Sequence, residues 1–213
     1  SETDEFFKLS TERYGVAVAS TNCSLSFPHT RIETDNSTAV MSLMEHLVGL
    51  GHRQIAHIGG DRSSGVSRER SEAFLRAVEH FNLKLDECPL RFSNWELDQA
   101  RTTARQLLEF SEPPTAILCV NDTIAACVLQ VANELNLKVP SELSVVGITN
   151  EHMSQLTVPS LTTVAIPCEE IGHDGMLALI DLIESKREIA TQQITRYPCT
   201  PIFRDSSAAA RSL

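Results

Sequence analysis

Four stretches of this 213-residue chain place polar side chains where chemistry could occur. Pro113-Pro114-Thr115-Ala116-Ile117-Leu118-Cys119-Val120 is apolar and β-prone, and it runs into Asn121-Asp122. Either of these two can cap the following helix through a short side-chain oxygen. Both also sit at the carboxyl end of a buried strand, where open α/β sheets bind ligands. A second such strand, Leu143-Ser144-Val145-Val146-Gly147-Ile148, ends in Thr149-Asn150. Gly60-Asp61-Arg62-Ser63-Ser64-Gly65-Val66-Ser67 nearly fits Gly-x-x-x-x-Gly-Lys-Ser/Thr, but Val66 stands in place of the lysine. Without that charge on the phosphates a nucleotide hydrolase is disfavoured, and the stretch reads as a glycine-rich turn facing a ligand crevice. Trp95, the only tryptophan, lies among Asn94, Glu96 and Asp98, a setting more typical of a surface loop than of a core.

Other chemistries lack their residues. The six cysteines, Cys23, Cys88, Cys119, Cys127, Cys168 and Cys199, include no Cys-x-x-Cys pair and read as reduced, mostly buried side chains. His46, His52 and His57 fit no metal-ligand spacing. Hydrolase elbows, dinucleotide fingerprints and zinc-protease helices are missing too. No enzyme, metal or cofactor is therefore expected.

Stepping along the chain, strands and helices alternate. Helix is predicted over 2–13, from the Asp35-Asn36 capping pair to Leu50, and over 67–81, 96–110, 123–137 and from Pro167. Strand is predicted over 15–19, weakly around Ile32, and over 55–59, 89–92, 115–120, 143–148 and 194–198, the last as an edge strand. Phe6 and Phe7 are expected on one side of the first helix, and Ile171, Met176, Leu179, Leu182 and Ile183 on the buried face of the last. This alternation implies right-handed βαβ units, hence an α/β fold of parallel sheets flanked by helices. With 42% hydrophobic residues the chain can bury one large core or two lobes. A formal net charge of −10 argues against these residues gripping nucleic acid by themselves. No membrane span or signal peptide is visible, and a cytoplasmic location is expected.

The Pro-Thr-Ala-Ile strand ending in Asn121-Asp122, Val139-Pro140-Ser141-Glu142-Leu143-Ser144-Val145-Val146-Gly147 and Pro159-Ser160-Leu161-Thr162-Thr163 recur in an order and spacing that resembles the effector-binding core of LacI/GalR transcription regulators. The resemblance extends from Glu45 through Gly60 and down to Phe203-Arg204-Asp205-Ser206, nearly the whole chain. It implies a two-lobe, periplasmic-binding-protein-like (type I) fold with a small-molecule effector between the lobes, a sugar or sugar-derived metabolite first of all. It also implies a homodimer, and operator DNA held by a helix-turn-helix that this chain does not contain. On this reading 1–53 and 167–186 form an incomplete first lobe, 54–166 and 187–205 the second, and 206–213 a tail, so the chain would be an N-terminal truncation. A solute-binding receptor for transport shares the two-lobe plan and is the alternative.

The resemblance also assigns effector contacts. Arg70, just inside the helix after the glycine-rich turn, matches the family's effector-clamping arginine, and a guanidinium offers a fixed fork of donors. Trp95 falls where many members stack an aromatic on the ligand. Asn121, Asp122, Thr149 and Asn150 complete the wall, with Thr149 standing where the family usually has an aspartate. From the other lobe Asn22, Asp35 and Cys168 are expected nearby.

Overall fold

The computed structural model describes residues 2–23, 25–185 and 193–211. In chain order the elements are α1 (Glu2–Tyr14), β1 (Ala19–Thr21), β2 (Thr30–Thr34), α2 (Asn36–Gly49), β3 (Ile55–Gly59), α3 (Gly65–His80), β4 (Leu90–Phe92), α4 (Leu97–Leu108), β5 (Ala116–Cys119), α5 (Asp122–Glu134), β6 (Ser144–Val146), β7 (Thr163–Ala165), α6 (Cys168–Ser185), β8 (Gln193–Tyr197) and β9 (Thr200–Ile202). They fall into two compact units, residues 1–35 with 167–198 and residues 36–166 with 199–213.

In the first unit β1, β2 and β8 form a parallel sheet with β2 central and β8 at one edge, as the closing strand was expected to be. β2 is the part that sequence patterning saw only faintly. Thr30-Arg31-Ile32-Glu33-Thr34 has one apolar residue, yet all five are buried. Its charges are satisfied within the unit: Arg31 pairs with Glu33, whose other oxygen accepts from Arg196 Nε of β8 at 3.0 Å. α6 buries Ile171, Gly175 and Leu182. The expected inward positions Met176 and Ile183 are instead 57% and 60% exposed. Gly175 explains this rotation, because a Cβ there would meet Thr21 Cγ2 at 2.9 Å, so the helix approaches β1 at a position that carries no side chain. Phe6 and Phe7 are likewise exposed and bury no face of α1.

The second unit holds a four-stranded parallel sheet, ordered β4-β3-β5-β6. The strands are short apolar runs because both faces are covered. One face packs Val40, Leu43, Met44 and Leu47 of α2 and Phe74 and Ala77 of α3 on Ile55, Leu118 and Val146. The other packs Ala100, Ala104 and Leu107 of α4 and Ile124, Val128 and Val131 of α5 on Ala56, Ile58, Ile117 and Val145. An antiparallel pair, β7 with β9, completes the unit.

The division of the chain differs from the expected one at three places. α2 belongs to the second unit, since its apolar stripe closes the core with α3. β8 belongs to the first, where it pairs with β2. Residues 206–211 are part of the second unit: Val145 N donates to Ser206 O at 2.8 Å, Thr162 N donates to Ser206 Oγ at 2.8 Å, and His52 Nε2 bonds Ala208 O at 3.0 Å. The expected boundary at 186/187 lies outside the described residues.

His57 occupies the middle of β3, wholly buried, with Nδ1 bonded to Leu118 O at 2.8 Å and the ring stacked on Phe74. Burial lowers its pKa from 6.5 to about 4, the Leu118 bond opposing and nearby Arg70 reinforcing the shift. Between these values the unfolded chain takes up a proton that the folded one refuses, so stability is complete above about pH 6.5 and declines as the pH falls towards 4. The loss should reach about 3 kcal/mol. Urea unfolding at pH 7 and pH 4.5 should show it, and His57→Gln should flatten the slope.

Candidate functional site

Parallel strands put all their carboxyl ends on one edge, so the turns after β3, β4, β5 and β6 lie side by side. Four of the six effector contacts expected from the sequence sit in those turns, Asp122 opens α5 and Arg70 lies in the helix that follows the first turn; all six are in the second unit.

Arg70 is buried in α3. Its Nε donates to Asn36 Oδ1 at 2.7 Å and its Nη1 to Val120 O, at the end of β5, at 2.5 Å. Both partners are neutral, and burial lowers the arginine pKa to about 10 although Cys199, Asp122 and Glu69 favour the charge. The guanidinium stays cationic at neutral pH, and Nη2 makes no hydrogen bond among the described residues. The surface ion pair with Glu69 or Glu72 that its sequence neighbours allow is not formed: Glu69 accepts from Asn36 Nδ2 at 2.8 Å and Glu72 pairs with Arg76.

Asn36 is the residue that sequence reasoning assigned only to capping. It is buried and ties Arg70 to Glu69. Its signal in the sequence was weak, since an Asp-Asn pair before a helix reads equally well as a cap.

Trp95 follows β4 in the left-handed region, φ 63°, and is 38% exposed. Its ring lies over Gly60, where any Cβ would fall inside van der Waals contact of the indole. The glycine of the turn after β3 thus serves to seat the tryptophan, and the ring is neither core nor free.

The Asn121-Asp122 pair divides its labour. Asn121 caps α5, its Oδ1 accepting from Ile124 N at 2.9 Å. Asp122 has no solvent exposure. Oδ1 accepts from Thr163 Oγ1 at 2.5 Å and Oδ2 from Glu151 N at 2.8 Å, with a further bond from the Asn150 amide. Burial raises its pKa and these donors oppose the shift. Asp122 therefore holds the turn after β6 and offers no oxygen to a ligand. Thr149 and Asn150 both adopt positive φ, 137° and 58°. Thr149 N donates to Val164 O at 2.8 Å and its hydroxyl to Ile148 O. Asn150 Oδ1 accepts from Arg204 Nη2 at 2.7 Å, while Arg204 Nη1 donates to Leu161 O at 2.7 Å.

In the first unit Asn22 Oδ1 accepts from Thr34 N at 2.7 Å and Cys168 is exposed at the start of α6. The histidines have fold roles: His46 stacks on Phe203, and His52 bonds Thr115 Oγ1 and Ser144 Oγ.

Donors, one buried cation and a half-exposed aromatic ring lie along the carboxyl edge of a parallel sheet, the edge at which open α/β domains bind small molecules. A profile of the periplasmic binding protein-like domain matches residues 44–207, and the chain belongs to that family in the form carried by LacI-type transcriptional regulators. It is 29% identical over 178 residues to the HTH-type transcriptional repressor CytR of Escherichia coli, covering 84% of this chain and 52% of the repressor. The chain thus spans about half the length of the curated relatives it matches. Among solved structures, a LacI-family regulator from Enterococcus faecium with bound ribose superimposes with a TM-score of 0.86 at 22% identity, covering 97% of this chain and 76% of the other. The Lac repressor dimer bound to operator and an anti-inducer gives 0.85 at 24% identity over 96% and 70%. These two likenesses establish the fold.

Gly60→Ala should displace the Trp95 ring without unfolding the sheet, because the obstructing atoms belong to a half-exposed side chain that can move. The emission maximum of the lone tryptophan should shift to longer wavelength and acrylamide quenching should rise, with an unchanged far-ultraviolet circular dichroism spectrum.

Proposed function

We propose that this chain is the effector-sensing domain of a cytoplasmic, dimeric, operator-binding transcription regulator, and that the effector binds at the carboxyl edge of the β4-β3-β5-β6 sheet. The observation that carries the reading is Arg70: a buried cation fixed by Asn36 and Val120 O, with part of its fork left over, in the helix that follows the turn whose Gly60 seats the half-exposed Trp95. A fork fixed by its neighbours loses little entropy on binding, which favours affinity. The ribose in the Enterococcus regulator makes sugars and sugar derivatives the first class to try. DNA contact would come from a part of the protein outside these residues, because the chain is acidic. The effector would act by its different affinity for two states of the regulator, a coupling of typically 1–3 kcal/mol.

Association of two copies is supported by the operator-bound dimer among the structural neighbours and by Leu156 and Val158, 79% and 94% exposed in the turn between β6 and β7. The chain should sediment as a dimer, and Val158→Asp should give a monomer of unchanged secondary structure.

Arg70→Lys retains the charge and removes the fork. It should weaken effector binding by tenfold or more, since a hydrogen bond to a charged group contributes about 1.5–3 kcal/mol. Titration followed by Trp95 fluorescence measures it; equal affinity of wild type and R70K would remove Arg70 from the site.

A further inference from the structure

Which hydrogen-bonding atoms this edge can still offer is fixed by what each candidate contact already holds. Asn150 faces the guanidinium of Arg204, which has only donors, so its amide must turn Oδ1 to Arg204 and leave Nδ2 for a ligand. Asn121 is fixed in the same sense by the Ile124 amide, which can only donate, and its Nδ2 is likewise left over. The orientation of both amides follows from chemistry rather than from telling oxygen from nitrogen. Arg70 adds Nη2 and Trp95 its indole N–H, neither bonded among the described residues.

Among the six candidate contacts the side-chain acceptors are engaged apart from Thr149, while the neighbouring Asp61 and Glu151 each keep one oxygen. Both oxygens of Asp122 hold the turn after β6. Asp61 Oδ1 accepts from Ser63 N and Oγ at 2.6 and 2.8 Å, and Glu151 Oε2 from Thr123 Oγ1 at 3.1 Å. Asn36 uses its oxygen on Arg70 and its nitrogen on Glu69. Of the six candidate contacts, four present N–H groups, Asp122 presents nothing, and Thr149, with its hydrogen on Ile148 O, presents one oxygen.

We infer that the effector carries an anionic, acceptor-only group, a carboxylate or a phosphate, which the donors of Arg70, Asn121 and Asn150 receive, with Arg204 the positioning residue that makes Asn150 a donor. This rests on the effector-site reading above and narrows it. A neutral polyol is the poorer match to the leftover N–H groups of Arg70, Trp95, Asn121 and Asn150, because each of its hydroxyls must also donate and none of these four groups can accept.

Binding of ribose, ribose 5-phosphate and ribonate to the whole chain, followed by Trp95 fluorescence, tests this, with inorganic phosphate as the minimal probe followed on the side-chain amide resonances of Asn121 and Asn150. At least one of the two acids should bind tenfold or more tighter than ribose, and the preferred one tells phosphate from carboxylate. Inorganic phosphate should shift both amide signals. Asn150→Asp, nearly isosteric, should cancel most of the preference, because its carboxylate would repel the acid; a retained urea midpoint would show that the fold survives. Ribose binding as tightly as either acid, with phosphate silent, would overturn the anionic class and leave the effector site standing. Silence to all four probes would remove both.

Discussion

A carboxylate without access to water sets the geometry of this edge. Asp122 lies in the first turn of α5, where the helix dipole favours negative charge, and it collects the Thr163 hydroxyl and the amides of Asn150 and Glu151. A buried charge is tolerable only if its lone pairs are filled, so the turn after β6 must come to it. That requirement puts Thr149 and Asn150 in the left-handed region and explains Gly147, where any Cβ would collide with the Asp122 carboxylate. Arg204 then fastens Asn150 from the other side and ties the turn to Leu161 O and Ser154. The proposed ligand-facing edge is thus built by polar groups that themselves face inward.

The sequence made the second unit legible almost strand by strand. A continuous apolar run flanked by capping residues has few other solutions, and β3, β5 and β6 lie where the runs do. β2 was nearly invisible because its stability comes from ion pairs contributed by distant residues, Arg196 above all, which no local pattern reveals. The rotation of α6 was hidden for a related reason: the helix turns on the absence of a side chain at Gly175, and apolar periodicity counts only side chains that are present.

The placement of the candidate residues at strand ends was legible in the sequence, and what each of them holds was less so. Asn121-Asp122 was correctly read as a turn at the end of a buried strand, but composition cannot say which of two adjacent oxygens caps the helix and which goes under the sheet. Burial decides: Asp122 is fully enclosed and Asn121 is not. Asn36 escaped notice because its partner, Arg70, is distant along the chain. Trp95 read as a surface residue, and its dependence on Gly60 could not be seen without the fold.

The chain crosses between its units at 35/36, 166/167 and 198/199, so neither unit is made of consecutive residues. Ser206 is fully buried where it meets Val145 and Thr162, and Ala208 closes onto His52 and Ser144. On the ribosome, which extends a chain by roughly 5–20 residues per second, the β4-β3-β5-β6 sheet would emerge long before the segment that seals β6. Through that interval the β6 edge is covered only from Val146 onward, by Thr162 and Val164, its Ser144-Val145 end stays open, and the first unit still waits for β8. Final assembly of both units is therefore a late event in synthesis, when nascent-chain chaperones and premature aggregation compete for the same exposed strand.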